Sequence, residues 1–463
     1  MKPTKRIFQY AKENFNEVVH TTLNPEGPGV VRIHLVPPAY SENDMAPSVA
    51  IINGQDIIPV GISWSVLLCE FIKEVNKFDG KPIEENDIDV IIKNTCTEVK
   101  KVFPLIGRKR LSKDIYRIFN AFKQIAYGEE VDENIGYLNM GEYSEYMNAP
   151  HRMDLMISAM TKNDVWHCNQ RCVHCYAAGQ KCAEEEELST DDWKAIIDNC
   201  KKAMIPQLTF TGGEPTMRED IFELIDYAKW FVTRLNTNGV KLTKDYCRRL
   251  KEASLDSLQI TFYSYDQDIH NSLVGVDEYD ATVRGIENAI EAGLSVSINT
   301  PLCIKNKDYL STLKFLKERG VMYVTCSGLI VTGNALLEES KNLQLSKDEI
   351  KNILKEAVEY CYSNDMEISF TSPGWIPKEF FEELLISTPT CGACLSNMAI
   401  TPGGNVVPCQ SWLSDEPLGN MLSDSWEKIW NNERTIERRK YSSYMTGDCP
   451  FRFRNEKEVQ DEK

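Results

Sequence analysis

The chain has 463 residues, too many for one ordinary domain of ~100–200. Hydrophobic residues make up 42% and charged residues 26%, a globular balance that excludes wholesale disorder. The formal charge of −17 disfavours a role in tracking nucleic-acid phosphates, and the single compact basic cluster, GRKRLSK (107–113), is too short to reverse that.

The opening stretch, MKPTKRIFQYAKENF, lacks the apolar core of a signal peptide. No run of ~20 apolar residues follows, so no membrane span is expected and the expected location is the cytoplasm. Thiols stay reduced there, and grouped cysteines signal metal or catalysis rather than disulfides. Of the 15 cysteines, Cys69, Cys96, Cys182, Cys200, Cys247, Cys303, Cys326 and Cys361 stand alone and are expected as buried free thiols. The remaining seven fall into two spaced groups.

The first expected domain covers residues 1–105. Within it GVVRIHLV, SVAIING and DIIPVG read as short strands. ISWSVLLCEFIKEVN and ENDIDVIIKNTCTEVKKVF read as helices, which makes a small α+β unit. Residues 106–150 are polar and mostly helical, a connector.

Residues 151–345 alternate strand and helix. DLMISAM (154–160), QLTFT (207–211), VTRLNTN (232–238), SLQITFY (257–263), SVSINT (295–300) and MYVTCSG (322–328) are strands, with helical segments between them. In the first of these helices Ser189 and Thr190 are cap candidates, and Trp193, Ile196, Ile197 and Cys200 share one face. Such alternation implies parallel strands with right-handed crossovers. The expected fold class is α/β, a partial (β/α)6 TIM-like barrel with its chemistry on the loops at the C-terminal strand ends. Residues 346–385 open with SKDEIKNILKEAVEYCY and read as a helical linker. Residues 386–463 form a small Cys-rich domain whose end, RNEKEVQDEK, is expected to fray.

The loop after the first strand, VWHCNQRCVHCYAAGQ, places Cys168, Cys172 and Cys175 in a Cys-x3-Cys-x2-Cys pattern. A [4Fe–4S] cube normally takes four thiolates, so three leave one iron open to a further ligand. The alternative is zinc with His167 or His174 as fourth ligand, although zinc sites usually pair two ligand doublets across a longer segment. The triad resembles the hallmark of radical S-adenosylmethionine (radical SAM) enzymes. That resemblance implies that the open iron chelates the amino and carboxylate groups of SAM. It places His174, where an aromatic residue is usual, near the adenine, with Tyr176 beside it.

A second mark supports it. TFTGGEPTMRED carries Gly212, Gly213, Glu214 and Pro215 after the second strand, similar to the family's GGEP motif, which meets the SAM ammonium group. By the same resemblance Thr237 and Asn238, ending the third strand, and Thr261, on the fourth, reach the ribose. The implied chemistry is electron entry into the cluster and cleavage of SAM to methionine and a 5′-deoxyadenosyl radical. That radical takes hydrogen from unactivated carbon.

The second group comprises Cys391, Cys394, Cys409 and Cys449, with PGGNVVP between the middle pair as a hairpin turn. Zinc and a closed [4Fe–4S] cluster both suit four thiols. Cys394, Gly404 and Cys409 fit C-x(9–15)-G-x4-C, and the stretch resembles the SPASM or shortened Twitch extension of radical SAM enzymes. Only Cys449 follows, with Arg452 where a further cysteine would stand, which implies one auxiliary cluster.

The order of strands and helices in the front domain looks like that of PqqD-like winged-helix domains, which bind a leader peptide by strand addition. VAIINGQDIIPVG (49–61) would be the edge hairpin. The implied enzyme is a maturase of ribosomally made peptides, acting on a precursor peptide with a leader. It would be fed by a low-potential donor such as flavodoxin or ferredoxin, with no nucleic-acid or membrane partner. A thioether or carbon–carbon crosslink is the expected product. Epimerisation, dehydrogenation of a small molecule, tRNA modification and a non-catalytic binding module are the alternatives. No catalytic acid or base can be named from the sequence.

Overall fold

The computed structural model describes residues 4–23, 31–38, 45–53, 56–78, 83–126, 131, 143–337, 340–444 and 449. They divide into two compact units, residues 1–149 with 200–206, and residues 150–199 with 207–463.

The first unit holds a four-stranded antiparallel meander of β1 (Val19–Leu23), β2 (Val31–Val36), β3 (Ser48–Ile52) and β4 (Asp56–Val60). Helices Lys5–Asn14, Ile62–Asn76, Glu85–Val102 and Arg108–Ala126 accompany it. Helix Lys5–Asn14 and β1 were not anticipated. Their signals are short: Thr4 caps the helix by accepting from the Ile7 amide, and Ile7, Tyr10 and Ala11 make its buried stripe. The helix Arg108–Ala126 lies where a connector was expected. Its Leu111, Ile115, Ile118 and Phe122 recur at helical spacing and enter the same core as Ile33, Leu68 and Ile72.

The second unit is built on one ten-stranded sheet. Its central strands are β5 (Arg152–Ser158), β8 (Gln207–Gly212), β9 (Val232–Thr237), β10 (Ser257–Thr261), β11 (Ser295–Leu302) and β12 (Tyr323–Gly328). The intervening β6 (Thr161–Lys162) and β7 (Val165–Trp166) form a separate hairpin. The six central strands pair in parallel and in sequence order, as a partial barrel requires.

Four strands extend this sheet beyond the expected six. β13 (Glu367–Phe370) joins β12 in parallel, from within the segment expected as a helical linker. At the other edge β14 (Asn397–Ile400) pairs in parallel with β5. β15 (Asn405–Val407) returns antiparallel across the PGGN turn, and β16 (Gly419–Asn420) follows it. Gly404 makes that turn at φ +84°, a conformation that suits glycine. The sheet pairing thus brings the second cysteine group to the strand that carries the first.

The strands alternate in an unusual sense. Leu235, Leu258, Ile260 and Ile298 are buried, while Asn236, Gln259, Thr261 and Asn299 line a central cavity. Apolar side chains on one face and polar ones on the other follow from the period of two. Here the polar face turns to an enclosed space. All eight solitary cysteines are buried, as expected of inert core thiols. Among the described residues no helix is long and apolar enough to cross a membrane.

Two buried histidines make this unit acid-sensitive. Burial lowers the pKa of His151 and of His270 from 6.5 to about 4. Both are therefore neutral in the folded protein at neutral pH. A depressed folded pKa means stability that is present above the unfolded pKa and lost as pH falls through the folded one. Each is expected to contribute up to roughly 3 kcal/mol that declines between pH ~6.5 and ~4. Urea midpoints measured at pH 7 and pH 5 should show the fall. His270→Gln should reduce the difference, and an unchanged difference would refute the assignment.

Candidate active site

The loop after β5 is pinned from two sides. Arg171 and Val173 donate backbone hydrogen bonds to the Val274 and Leu273 carbonyls, at 2.9 and 3.0 Å. Asn334 Nδ2 donates to the Cys172 carbonyl at 3.1 Å, and Ser340 Oγ to the Val173 carbonyl at 2.6 Å. Trp166 Nε1 donates to the Gln170 carbonyl at 2.7 Å. These clamps hold Cys168, Cys172 and Cys175 on the wall of a cavity of about 460 Å³.

The expected cofactor residues gather on the same wall. Gly212, Gly213, Glu214, Thr237, Asn238, Thr261, His174 and Tyr176 all line the cavity, and Pro215 follows directly, buried. Gly212 has φ +136°, and a Cβ there would lie 2.2 Å from the Ser158 carbonyl oxygen. A Cβ on Gly213 would lie 2.8 Å from the Ala159 carbonyl oxygen. No side chain fits at either position, so the backbone itself faces the cavity.

Glu214 does something the motif did not foretell. Its carboxylate is buried and accepts from the Thr216 amide at 3.0 Å, Thr237 Oγ1 at 2.7 Å and the Asn238 amide at 2.8 Å. Thr216 Oγ1 donates to it as well. Burial raises its pKa, against the pull of these donors. The side chain ties the end of β8 to the end of β9. Asn238 is tied in turn to the cysteine loop, its Nδ2 donating to Asn169 Oδ1 at 2.7 Å.

His174 and Tyr263 form a buried pair, Nε2 to hydroxyl at 3.0 Å with the rings edge-on. Burial holds His174 neutral, its pKa lowered to about 4. Its Nε2 is engaged by Tyr263, and His167 Nε2 lies 3.8 Å from Glu187 Oε1. Among the described residues no three His, Cys, Asp or Glu side chains converge on a single ion. Tyr263 has no motif signal; it sits two residues past Thr261, beyond the end of β10, and lines the same cavity.

Cys391 and Cys394 are buried, and Cys409 and Cys449 half-buried. Ala393 and Trp412 pack around Cys391 and Cys409, and Arg438 lies over the Trp412 ring at 3.7 Å. Ser442 Oγ lies 3.4 Å from Cys391 Sγ. Each of Cys391, Cys394 and Cys449 lies within electrostatic reach of Cys409. Burial pushes Cys168, Cys394 and Cys409 up to about 12, each raised further by a neighbouring thiol. Such thiols ionise only when a metal compensates them, which is how thiolate-bound metals behave.

The two groups are neighbours through Tyr176. It packs against the core cluster that includes Ala399, Val407 and Leu413, and burial, with Cys175, Asp154 and Cys409 nearby, raises the pKa of its hydroxyl. Gln410, next to Cys409, lines the cavity.

Residues 167–317 match the Radical SAM superfamily, and residues 391–457 match an iron–sulfur cluster-binding domain, SPASM. The chain carries a radical SAM domain followed by an SPASM domain. The radical SAM domain binds SAM and a [4Fe–4S] cluster, and the SPASM domain binds auxiliary iron–sulfur. The Fe-coproporphyrin III synthase of Methanosarcina barkeri is 31% identical over 202 residues, 41% of this chain, and the match spans half of that protein's length. The mycofactocin maturase MftC of Mycobacterium tuberculosis is 27% identical over 61% of this chain and 73% of its own. Among solved structures, Streptococcus suis SuiB bound to the precursor peptide SuiA aligns over 89% of this chain and 96% of its own, with TM-score 0.57 and 13% identity. The last comparison shows a shared fold.

Proposed function

We propose that this radical SAM enzyme is a maturase of a ribosomally synthesised peptide, forming a thioether or carbon–carbon crosslink. The observation that carries the reading is a cavity walled by Cys168, Cys172 and Cys175 and also reached by Gln410 beside Cys409. In this reading Cys168, Cys172 and Cys175 hold the SAM-binding cluster. The Gly212–Gly213 backbone, Thr237, Asn238 and Thr261 seat SAM, with His174 and Tyr176 at its adenine side. When bound, cluster and SAM supply a 5′-deoxyadenosyl radical that takes hydrogen from carbon.

The chain's own residues do the rest. Glu214 fixes the loop geometry, and the clamps on the cysteine loop keep its thiols aimed inward. Cys391, Cys394, Cys409 and Cys449 hold one auxiliary [4Fe–4S] cluster. Crosslinking removes one further electron from the substrate radical and releases a proton, so it needs an electron outlet close by. The packing of Tyr176 between the two cysteine groups supports that outlet. Epimerisation needs a hydrogen donor instead, often a thiol, and none of the eight solitary cysteines is among the cavity-lining residues.

Residues 1–105 serve as the peptide-recognition domain in this reading. β4 is an edge strand of the four-stranded sheet, paired only with β3 among the described strands. An added strand would find backbone groups there, with Ile57 and Pro59 half-buried beside them. Full-length protein titrated with precursor peptides encoded beside its gene is expected to bind one at Kd below ~10 μM, a typical strength for such segments. Deleting that peptide's leader should abolish binding. If no peptide binds, the second reading gains. That reading is a redox reaction on a small molecule, and the similarity to the Fe-coproporphyrin III synthase favours it.

A further inference from the structure

The floor of the cavity carries charge that the reading above does not use. Arg152 and Asp154 on β5, Thr209 on β8 and Arg234 on β9 all line it. Asp154 is in register with Thr209, and Thr209 with Arg234, so three neighbouring strands present them at one level. Arg234 stands three residues before Thr237, which at ~3.3 Å per residue is roughly 10 Å below the SAM-facing strand ends.

These groups are poorly matched to one another. Arg152 Nε lies 3.0 Å from Asp154 Oδ1, yet the pair is misaligned and forms no hydrogen bond. Asp154 is 1% exposed and its Oδ2 has no partner. Thr209 Oγ1 and Asn236 Oδ1 are also buried without partners. Arg234 donates from Nε to Ser257 Oγ at 3.4 Å, and no carboxylate among the described residues lies at ion-pair distance from it. Burial and the nearby Arg152 lower its pKa to about 10, against the opposing pull of Asp154. Arg234 is half-buried and the Arg152 side chain 37% exposed, and orphaned polar atoms on the surface they share call for a ligand.

We propose that Arg152 and Arg234, with the Thr209 hydroxyl, form a subsite for a carboxylate of the substrate. Two guanidiniums and one aspartate leave a net charge of about +1, which suits a monoanion better than a phosphate dianion. Asp154, at ion-pair distance from Arg152, tempers the charge. Among the described residues, the only other acid on the cavity wall, Glu214, is consumed by its own four donors. The carboxylate comes from an acidic side chain or from a chain terminus. The subsite deepens the peptide reading and rests on it for the word peptide alone.

The test uses full-length reconstituted protein with SAM, titrated anaerobically by NMR with small probes. N-acetylglutamate α-amide carries a side-chain carboxylate, N-acetylalanine a terminal one, and N-acetylglutamine amide none. At least one acid is expected to bind roughly ten- to a hundredfold more tightly than the neutral amide, the range for a charge-assisted pair. The stronger acid identifies the source. R234Q and R152Q should each remove most of the preference, and R234K should restore part of it. Equal binding of acids and amide overturns the proposal, as does a preference that survives both glutamine variants. Inorganic phosphate displacing both acids overturns it too. The wild-type comparison stands even where a variant fails to fold. The probes lack a leader, so failure of leader binding and failure of this subsite are separate results.

Discussion

Replacing Cys168, Cys172 and Cys175 together by alanine is expected to reduce SAM cleavage to the enzyme-free level. It should also halve the iron, from about eight atoms per chain to about four, as one of two [4Fe–4S] clusters is lost. The reason is local. The three thiols sit on a loop clamped through Arg171, Val173, Asn334 and Ser340. None of these clamps uses a cysteine side chain, so alanines there remove ligands while leaving the clamps in place. The C-terminal group is held by different contacts, including Trp412 and Ser442, and should keep its iron. Iron and sulfide analysis after anaerobic reconstitution, with SAM cleavage under dithionite followed by chromatography, makes the check. About four irons in the wild type, none in the variant and zinc in both would remove the auxiliary cluster and the electron outlet argued from it. Cleavage that persists in the variant would sink the cofactor assignment itself.

Gly212→Ala should be nearly as severe without touching a ligand. The new Cβ would meet the Ser158 carbonyl oxygen at 2.2 Å, and φ +136° is strained for any L side chain. The obstacle is backbone of the neighbouring strand and cannot rotate away. A cost of about 3–5 kcal/mol is expected, combining strain with overpacking. If the fold survives, β8 and β5 must part locally, and the cradle that faces the cavity opens with them. SAM affinity, measured by equilibrium dialysis on reconstituted protein, should fall at least tenfold, since a tenfold loss needs only ~1.4 kcal/mol of that strain. Thermal unfolding reports the stability arm separately. A Gly212→Ala protein with wild-type stability and SAM affinity would show that the close approach is not what the site needs.

Much of this protein is legible because its chemistry has a short range in sequence. The three-cysteine loop spans eight residues, and its spacing alone signals an open cluster. The six central strands announce themselves as apolar-flanked runs between capped helices, as with Ser189 before Thr190–Lys202. The polar interior was legible in principle. Arg234, Asn236, Gln259 and Asn299 alternate with buried apolar neighbours, but alternation alone does not distinguish solvent from an enclosed cavity.

Composition, periodicity and spacing determined the parallel strand–helix alternation and the two cysteine groups, and the resemblance to a family motif singled out Gly212 and Gly213, because each depends on residues close together in the chain. Tertiary structure decided the rest. It paired Asn397–Ile400 with Arg152–Leu155 across more than two hundred residues and so set the two cysteine groups beside one cavity. It turned Glu214 from a motif letter into the tie between two strand ends. It also gathered Arg152, Asp154 and Arg234 from separate strands onto one floor, where their mismatch of charge becomes visible. Pairing and charge balance across strands depend on register, and register is a property of the folded sheet.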